Sequence, residues 1–251
     1  MENRKLEDAL AAMTGVGLSG LDSVKLMRRV DSKYIFHASK LPDILHQVAN
    51  DYQILEINGK RLFQYDSVYL DSDDFVFYHD HHRGKPNRTK MRYRHYVDTG
   101  SIYFEVKKKV KGARTDKFRV KVEEISKELS LESKALIEQL GLEHDGLGLK
   151  YWVCYQRITL ASAALEERVT LDLGLTISDG ENEQVFPDLV IAEVKQGKRT
   201  RTSPMAVALR QNTIRECRLS KYTVAVAKLG QPIKSNGFKQ KLLKLQKIIA
   251  Q

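Results

Sequence analysis

The stretch 88-RTKMRYRHY-96 places Lys90, Arg92 and Arg94 at two-residue intervals, with Met91 and Tyr93 between them. Successive side chains on a β-strand point to opposite faces, so the three cations would line one face at intervals of ~7 Å. Their mutual repulsion opposes this arrangement unless water or an anion lies beside them. The stretch therefore predicts a strand whose polar face meets either solvent or a negatively charged ligand.

The same alternation predicts seven further strands along the chain. They are 29-RVDSKYIF-36, 61-RLFQYDSVYL-70, 102-IYFEVKKKV-110, 117-KFRVKVE-123, 152-WVCYQRITL-160, 168-RVTLDLGL-175 and 189-LVIAEVK-195. In these segments apolar and charged residues tend to fall on opposite faces, which is the pattern of half-buried strands. Together with the helices predicted between some of them, they indicate an α+β fold with a meandering, mainly antiparallel sheet.

The charged faces of these strands allow two interpretations. For any single strand, alternating charge is also what the solvated face of an ordinary antiparallel sheet looks like. Here nearly every polar face carries Arg or Lys, and some add a nearby carboxylate, as in Glu105/Lys107 and Glu193/Lys195. If the eight strands close on themselves, the polar faces turn inward and the apolar faces meet surrounding helices. We therefore predict an eight-stranded closed β tunnel that is lined with charge and has helices packed on its outside.

Helical segments are predicted around this sheet within a single domain of residues 1–251, with its core at about 25–228. The predicted helices are an N-terminal one at 1–14, then ~40–49, ~71–82 with Asp71 or Ser72 as N-cap, ~125–140, one opened by Ser203-Pro204 and reaching ~216, and a basic C-terminal helix at 235–251. No repeat, low-complexity tract or proline-rich linker suggests a boundary between two domains.

Charge is the most informative part of the composition. The 251 residues include 42 Lys and Arg against 32 Asp and Glu, a formal charge of +10, which favours polyanionic partners. The N-terminus lacks an apolar signal core and no apolar run reaches the ~18 residues of a membrane span, so a cytoplasmic protein is expected. Cys154 and Cys217 show neither a disulfide nor a zinc-site pattern.

Three other basic or histidine-rich segments have ordinary interpretations. The segment 79-HDHH-82 is better explained as a polar helix end than as a metal site, because its first and third histidines diverge on a helix. The run 107-KKKVK-111 is split by alternation, and no nucleic-acid-binding signature or P-loop is present, so no specific nucleic acid is expected. The basic tail at 234–248 is interpreted as a helix that caps the tunnel; the alternative is docking on a membrane protein or a lipid surface.

A basic tunnel suits phosphates. Arginine binds phosphate oxygens with two parallel hydrogen bonds, lysine adds point charge, and carboxylates can hold a divalent cation. Because the row at 90–94 is expected to point into ligand-filled space, replacing Arg92 or Arg94 by alanine is expected to remove activity and to leave the fold intact.

Eight short motifs, in order, resemble the VTC domain, the polyphosphate polymerase branch of the triphosphate tunnel metalloenzymes. They are 29-RVDSKY-34, 88-RTKMRYR-94, 104-FEVKKK-109, 117-KFR-119, 155-YQR-157, 168-RVTLD-172, 193-EVK-195 and 220-SKY-222. The resemblance implies an eight-stranded antiparallel tunnel that binds a nucleoside triphosphate with Mn²⁺ or Mg²⁺. It also implies transfer of the terminal phosphoryl group to a growing inorganic polyphosphate chain.

The resemblance further implies roles for individual residues. Catalytic phosphate contacts are expected from Lys33, Arg92, Arg94, Lys107 and Lys117. Substrate binding is expected from Tyr155, Arg157, Arg168, Ser220 and Lys221, and from Arg29, Lys90, Lys109, Arg119 and Lys195. Glu193 resembles the metal-binding glutamate of the family, with Glu105 and Asp172 as the next candidate ligands.

One departure from the wider superfamily bears on the reaction. Many hydrolytic members begin with Glu-x-Glu-x-Lys, whereas this chain has Arg29-x-Asp31-x-Lys33. Activating water benefits from extra metal-binding carboxylates, whereas transfer to an anionic phosphate needs mainly positioning and charge neutralisation. The sequence therefore favours a polymerase. An inorganic or organic triphosphatase and a non-catalytic module that binds polyphosphate or inositol phosphates remain as alternatives, and no pattern selects the nucleotide or the oligomeric state.

Overall fold

A computed structural model describes residues 2–24, 30–110, 115–230 and 233–250. The strands are β1 (Gly15–Val16), β2 (Val30–His37), β3 (Gln53–Leu55), β4 (Phe63–Ser72), β5 (Arg88–Tyr96), β6 (Ser101–Lys109), β7 (Thr115–Val122), β8 (Leu147–Ser162), β9 (Glu167–Ser178), β10 (Glu183–Phe186) and β11 (Leu189–Gln196). The helices are α1 (Glu2–Ala11), α2 (Leu41–Val48), α3 (Val76–His82), α4 (Leu131–Gln139), α5 (Pro204–Gln211), α6 (Lys221–Leu229) and α7 (Lys239–Ile249).

The eight predicted strands form one continuous antiparallel path in the order β2-β11-β9-β8-β4-β5-β6-β7. The short strands β1, β3 and β10 extend this sheet at its side and were not predicted. The α+β class and the antiparallel sheet of eight main strands are thus confirmed. Among the described residues no ladder joins β7 to β2, so backbone hydrogen bonds do not close the tunnel.

Curvature nevertheless brings the inner faces of distant strands together. Glu193 on β11 and Lys107 on β6 are five strand steps apart, which is about 24 Å on a flat sheet. The carboxylate of Glu193 still raises the pKa of Lys107 and so counteracts part of a larger lowering. Such an interaction requires the two side chains to face each other across a rolled sheet, as the tunnel prediction requires.

The apolar faces of the strands are covered from outside by two groups of helices. In one, Ile44 and Leu45 of α2 and Met205 of α5 pack with Val169 and Val190 of the sheet, all fully buried. In the other, Ile137 of α4 packs with apolar residues of β4, β5 and β6, including Val68, Met91 and Phe104. Burial of these apolar side chains is the main favourable contribution to folding.

Helix α6 was not predicted, and it packs inside the curve of the sheet. Register and alternation place Tyr69, Tyr151 and Val153 on the same inner face as Tyr155. Tyr222 of α6 stacks on Tyr69, with ring centroids 5.0 Å apart. The aromatic and β-branched residues of α6, spaced as KYTVAV, resemble a strand in sequence, which concealed the helix.

Several predicted helix boundaries differ from the structure. The helix expected to reach ~216 ends at Gln211, where its last turn is closed by the amide of Ile214 bonding to the carbonyl of Leu209. The helix expected at ~71–82 begins only at Val76, because Asp71 and Ser72 belong to β4. The carboxylate of Asp71 still accepts the amides of Phe77 and Tyr78, at 2.9 Å each, so a capping role is carried out from the preceding strand.

The remaining boundaries are close to prediction, except that the helix expected from ~125 begins six residues later. The N-terminal helix ends at Ala11, the helix expected at ~125–140 begins at Leu131 after the N-cap Ser130, and the tail helix begins at Lys239. None of the helices within the described ranges is long and apolar enough to cross a bilayer. The single domain of residues 1–251 stays a prediction, and residues 25–29 at the start of its proposed core lie outside the described part.

Candidate functional site

The polar faces of β5, β6 and β7 meet at a buried carboxylate. Glu105 has no exposed surface and lies opposite Arg92 in the β5–β6 register. Arg92 donates to its Oε2 from Nε at 2.9 Å and from Nη2 at 2.6 Å, and Lys117 of β7 pairs with its Oε1. Burial raises the pKa of Glu105, but Arg92, Arg94 and Lys117 outweigh this effect and hold the pKa well below its usual range. Glu105 is therefore a carboxylate neutralised by its neighbours.

The second buried carboxylate, Asp172, lies across the tunnel on β9. Arg157 of β8 is directly opposite it in register and donates from Nε to Oδ1 at 2.5 Å and from Nη2 to Oδ2 at 2.9 Å. Lys221, the first residue of α6, also donates to Oδ2. Burial raises the pKa of Asp172, but Arg157 and Lys221 lower it further than burial raises it. We call Arg92–Glu105 and Arg157–Asp172 the arginine pairs.

Aromatic rings support the guanidinium groups between the two arginine pairs. Arg94, only 6% exposed, donates to the hydroxyl of Tyr155 at 2.7 Å. The guanidinium carbons of Arg94 and Arg157 lie 5.3 and 4.8 Å from the ring centroid of Tyr65. Burial raises the pKa of Tyr155, but Arg157 and Arg94 make the net shift downward. Guanidinium groups packed on ring faces are held in place and partly stabilised by cation–π attraction.

A third group of charged residues is less completely neutralised by carboxylates than the arginine pairs are. The lysine cluster consists of Lys33 on β2, Lys90 on β5 and Lys107 on β6, which are brought together by the curvature of the sheet. Burial, followed by the charges of Lys33 and Arg88, keeps the pKa of Lys90 well below its usual range. The pKa of Lys107 is also far below its usual range, first because of Arg92 and then because of burial. Lys33 differs, because Glu193 raises its pKa more than burial lowers it. The positive charge that the surroundings do not neutralise therefore lies on Lys90 and Lys107.

Two residues border the lysine cluster. Glu193 lies 3.8 Å from the ammonium of Lys33 and 2.9 Å from that of Lys195. Burial raises the pKa of Glu193, yet Lys33 and Lys195 bring it well below its usual range. The hydroxyl of Ser220, at the N-terminus of α6, accepts a hydrogen bond from Lys90 at 2.8 Å.

The three carboxylates proposed as metal ligands are not brought together. Within the ranges that the structure describes, no group of three His, Cys, Asp or Glu side chains could hold a metal ion. All three carboxylates are paired with two cations, but Glu105 and Asp172 are almost completely buried, whereas the Glu193 side chain is 22% exposed. Magnesium commonly binds through one or two carboxylates together with substrate phosphates, so Glu193 fits this role and the other two do not.

The remaining predicted residues lie around this centre. Arg168 is opposite Lys195 in the β9–β11 register, and Lys109 is opposite Arg88 at the end of β6. Arg119 is exposed on β7 and covers the ring of Tyr103 at 4.7 Å. Arg29 lies outside the described residues. Burial lowers the pKa of Lys117 to about 8, although Glu105 opposes the effect.

The expectation that Arg92 and Arg94 point into open space is not met, because both guanidinium groups have partners within the protein, and their contacts with phosphate stay a prediction. Arg92 contacts a fully buried carboxylate and Arg94 is itself buried. Sequence reasoning also missed Tyr65 and Tyr69; the hydroxyl of Tyr69 accepts a bond from Arg92 at 3.2 Å. Their four-residue spacing in 61-RLFQYDSVYL-70 was a usable signal, because an even spacing on a strand puts both rings on one face.

Comparison with models of protein families gives a match over most of the chain. The family model of the VTC domain matches residues 28–230. No match is found among curated proteins.

Solved structures similar to the chain include three candidate adenylate cyclases. One from Vibrio parahaemolyticus is 13% identical with a TM-score of 0.47, over 80% of this chain and 98% of that one. One from Bacillus halodurans is 12% identical with a TM-score of 0.46, over 85% and 96%. One from Hippeastrum, described as having a dominant triphosphatase activity, is 13% identical with a TM-score of 0.49, over 80% and 96%. Similarity at this level assigns no activity to the chain.

Proposed function

The chain belongs to the VTC domain family, and from that premise we propose that it is a metal-dependent polyphosphate polymerase. Membership supports a triphosphate-processing enzyme with a divalent metal. The proposal is that the terminal phosphoryl group of a nucleoside triphosphate, ATP in the first instance, is transferred to inorganic polyphosphate inside the tunnel.

The lysine cluster is the observation that carries this proposal. Lys90 and Lys107 have strongly lowered pKa values, because burial and neighbouring cations disfavour their charged forms. A phosphate chain beside them would supply the missing negative charge and favour protonation of both ammonium groups. The arginine pairs have no such need, because each arginine already faces a carboxylate.

The residues suggest how transfer proceeds. Lys33, Lys90 and Lys107 bind the oxygens of the transferred phosphoryl group, while Arg94 orients the phosphates nearer the nucleoside. A phosphate oxygen at the end of the polymer attacks the γ-phosphorus, an O–P bond forms in line, the β–γ bridging O–P bond breaks and nucleoside diphosphate leaves. Glu193 would hold the divalent cation together with phosphate oxygens. When bound, that cation would neutralise part of the negative charge on the leaving phosphates.

The state of the carboxylates favours transfer over hydrolysis. A hydrolase of this kind needs a carboxylate or a metal-held hydroxide to activate water. Glu105 and Asp172 are both ion-paired and buried, so neither is available as a base or as a second metal ligand. An anionic acceptor phosphate needs no deprotonation, which makes positioning and charge neutralisation sufficient.

The C-terminal tail supports the capping interpretation. Leu245 and Ile248 of α7 are buried, and Phe238 packs edge-on against His81 and His82 of α3. Lys244 donates to the carbonyl of Arg215 at 2.9 Å. We propose that this tail covers the barrel. Docking on a membrane protein or on lipid would have to use only those lysines of the tail that face solvent.

The test is incubation of the protein with ATP and Mn²⁺. The proposal predicts ADP together with a polymer that exopolyphosphatase degrades. Free phosphate as the sole product would instead establish the triphosphatase, and tight binding without turnover under either Mn²⁺ or Mg²⁺ would establish a non-catalytic module. Lys107→Met should lose polymer formation, whereas Lys60→Met, at an ammonium paired with Asp98 on the surface, should match the unaltered protein.

A further inference from the structure

Three tyrosines lie side by side on the inner faces of β4, β5 and β6. Tyr65 is opposite Tyr96 in the β4–β5 register, and Tyr103 lies beside Tyr96 on β6. Their ring centroids are 5.1 Å apart for Tyr65 and Tyr96, and 5.8 Å apart for Tyr96 and Tyr103. All three are half-buried, so part of their aromatic surface remains accessible. None of them was assigned a role from the sequence.

These rings continue the row of cations that defines β5. Tyr96 follows Arg94 on the same face after two residues, a rise of ~7 Å along the strand. At the other end of the row, Lys90 contacts Ser220 of α6, and the neighbouring helix α3 buries Tyr78 completely. The tyrosine end is bordered instead by the turn at 97–100, which follows Tyr96 directly and is exposed throughout, and by the exposed Arg119 and Lys121 of β7. The tyrosines therefore lie at the open mouth of the tunnel.

Packing alone accounts for Tyr65 but not for its two neighbours. Tyr65 stacks on Tyr155 with centroids 5.7 Å apart and supports both Arg94 and Arg157. Tyr96 and Tyr103 contact each other and the rim residues Tyr65 and Arg119. Lys121 lies opposite Tyr103 in the β6–β7 register. Partly exposed rings next to a guanidinium and an ammonium suit a flat heteroaromatic ring that carries phosphates.

We propose that Tyr96 and Tyr103 form a stacking platform for the base of the nucleoside triphosphate. Because the two ring planes are 88° apart, the base stacks on the face of one ring and meets the other ring edge-on. The triphosphate then extends inward past Arg94 and Arg92 and brings its terminal phosphate to the lysine cluster. This inference rests on the proposed function and adds the direction in which the substrate lies. Nucleoside diphosphate leaves through the mouth by which the triphosphate entered, while the polymer occupies the inner tunnel.

The platform also predicts a pattern of nucleotide preference. Stacking uses the face of a base and not its hydrogen-bonding edge, so it tolerates every base and favours the larger ring systems. ATP and GTP are expected to bind with similar affinity, and CTP and UTP a few-fold more weakly. A strong preference for ATP over GTP would contradict recognition by stacking.

The decisive experiment compares ATP with ribose 5-triphosphate, which has the same phosphates and no base. Dissociation constants are measured calorimetrically in EDTA, so that metal-dependent turnover does not interfere. One stacked base contributes ~1–3 kcal/mol, so the intact protein should bind ATP ~5-fold to ~150-fold more tightly. Equal affinities overturn the platform, and this comparison requires no variant to fold.

Variants then assign the preference to the two rings. Tyr96→Leu and Tyr103→Leu should weaken ATP binding and leave the affinity for ribose 5-triphosphate within about two-fold, whereas Tyr96→Phe and Tyr103→Phe should retain the full preference. Equal weakening of both ligands in the Leu variants would overturn the assignment. The two proposals can be tested separately. Tighter binding of ATP than of ribose 5-triphosphate, without polymer formation, overturns only the polymerase proposal. Polymer formation with equal affinity for the two ligands overturns only the platform.

Discussion

The arginine pairs and the lysine cluster share one tunnel but differ in how their charge is balanced. In the arginine pairs, each guanidinium contacts a buried carboxylate directly across the strand ladder. In the lysine cluster, the neighbouring cations and burial outweigh nearby negative charge for Lys90 and Lys107. The pairs are therefore complete without substrate, whereas the proposed function has substrate complete the cluster. On that proposal the difference separates residues that hold the tunnel together from residues that would bind phosphate.

The largest expected effect is a loss of stability on removing one member of an arginine pair. Arg92→Ala leaves the fully buried carboxylate of Glu105 with Lys117 as its partner. Breaking a buried ion pair costs about 3–5 kcal/mol, because the remaining charge is poorly solvated. Urea denaturation should show this loss in the free energy of unfolding.

The matched control neutralises both partners. Arg92→Met combined with Glu105→Gln should recover much of the stability lost in Arg92→Ala, because the fully buried carboxylate is no longer charged and the side chain of Lys117, which loses its partner, is 34% exposed to water. If Arg92→Ala unfolds at the same urea concentration as the unaltered protein, the arginine pairs are not structural and the comparison fails.

The second effect concerns the carboxylate beside the lysine cluster. Glu193→Gln removes the proposed metal ligand and should lower polymer formation by about 100-fold or more, because a catalytic cation contributes several kcal/mol. Binding of tripolyphosphate in EDTA should be retained, since the variant makes the cluster more positive. Glu138→Gln, at an exposed carboxylate that contacts His144, is the control. Unchanged metal dependence in Glu193→Gln would place the metal elsewhere.

A smaller effect of the opposite sign is expected inside the lysine cluster. Lys90→Met removes a cation whose charged form is disfavoured in the folded protein, so the ligand-free variant should be more stable. A rise in Tm of roughly 2–4 °C corresponds to ~1 kcal/mol in a chain of this size. Tripolyphosphate should bind the variant about ten-fold more weakly. A lowered Tm would indicate that Lys90 is structural, as Arg92 is.

The smallest effect is a dependence on pH. Because the folded-state pKa of Lys117 is lowered to about 8, the unfolded chain binds more protons than the folded chain between about pH 8 and ~10.4. Stability of the ligand-free protein should therefore rise with pH across this window, and the same holds for the other lysines with lowered pKa values. Phosphate favours the charged form, so tripolyphosphate should bind with uptake of protons and more weakly as the pH rises above 8.

Calorimetry at pH 8.5 in buffers of different ionisation enthalpy measures this uptake. Lys117→Arg, which stays protonated, should reduce the number of protons taken up. Binding without proton uptake at this pH would mean that the lysines are already fully charged in the empty tunnel, and the contrast between the two regions would disappear.

Much of the fold follows from one local property of the sequence. The two-residue alternation identified all eight strands of the main sheet and the inner face of most of them, including the row from Lys90 to Arg94. Alternation can be recognised within a single strand, because the backbone itself turns successive side chains to opposite sides. Helix α6 was missed because its β-branched and aromatic residues have no clear helical period, and its packing inside the sheet depends on Tyr69 and Tyr151.

The sequence by itself determined which side chains face the tunnel and that their summed charge is positive. Only the tertiary structure decided which cations are neutralised. Arg92 meets Glu105 through the register of β5 and β6, Lys221 reaches Asp172 because α6 enters the tunnel, and the lysine cluster forms where the curved sheet brings β2 near β5 and β6. The physical reason is that the backbone of each strand sets the face to which a side chain points, one residue at a time. The balance of charge depends instead on distances between side chains of strands that are far apart in the order of the sheet.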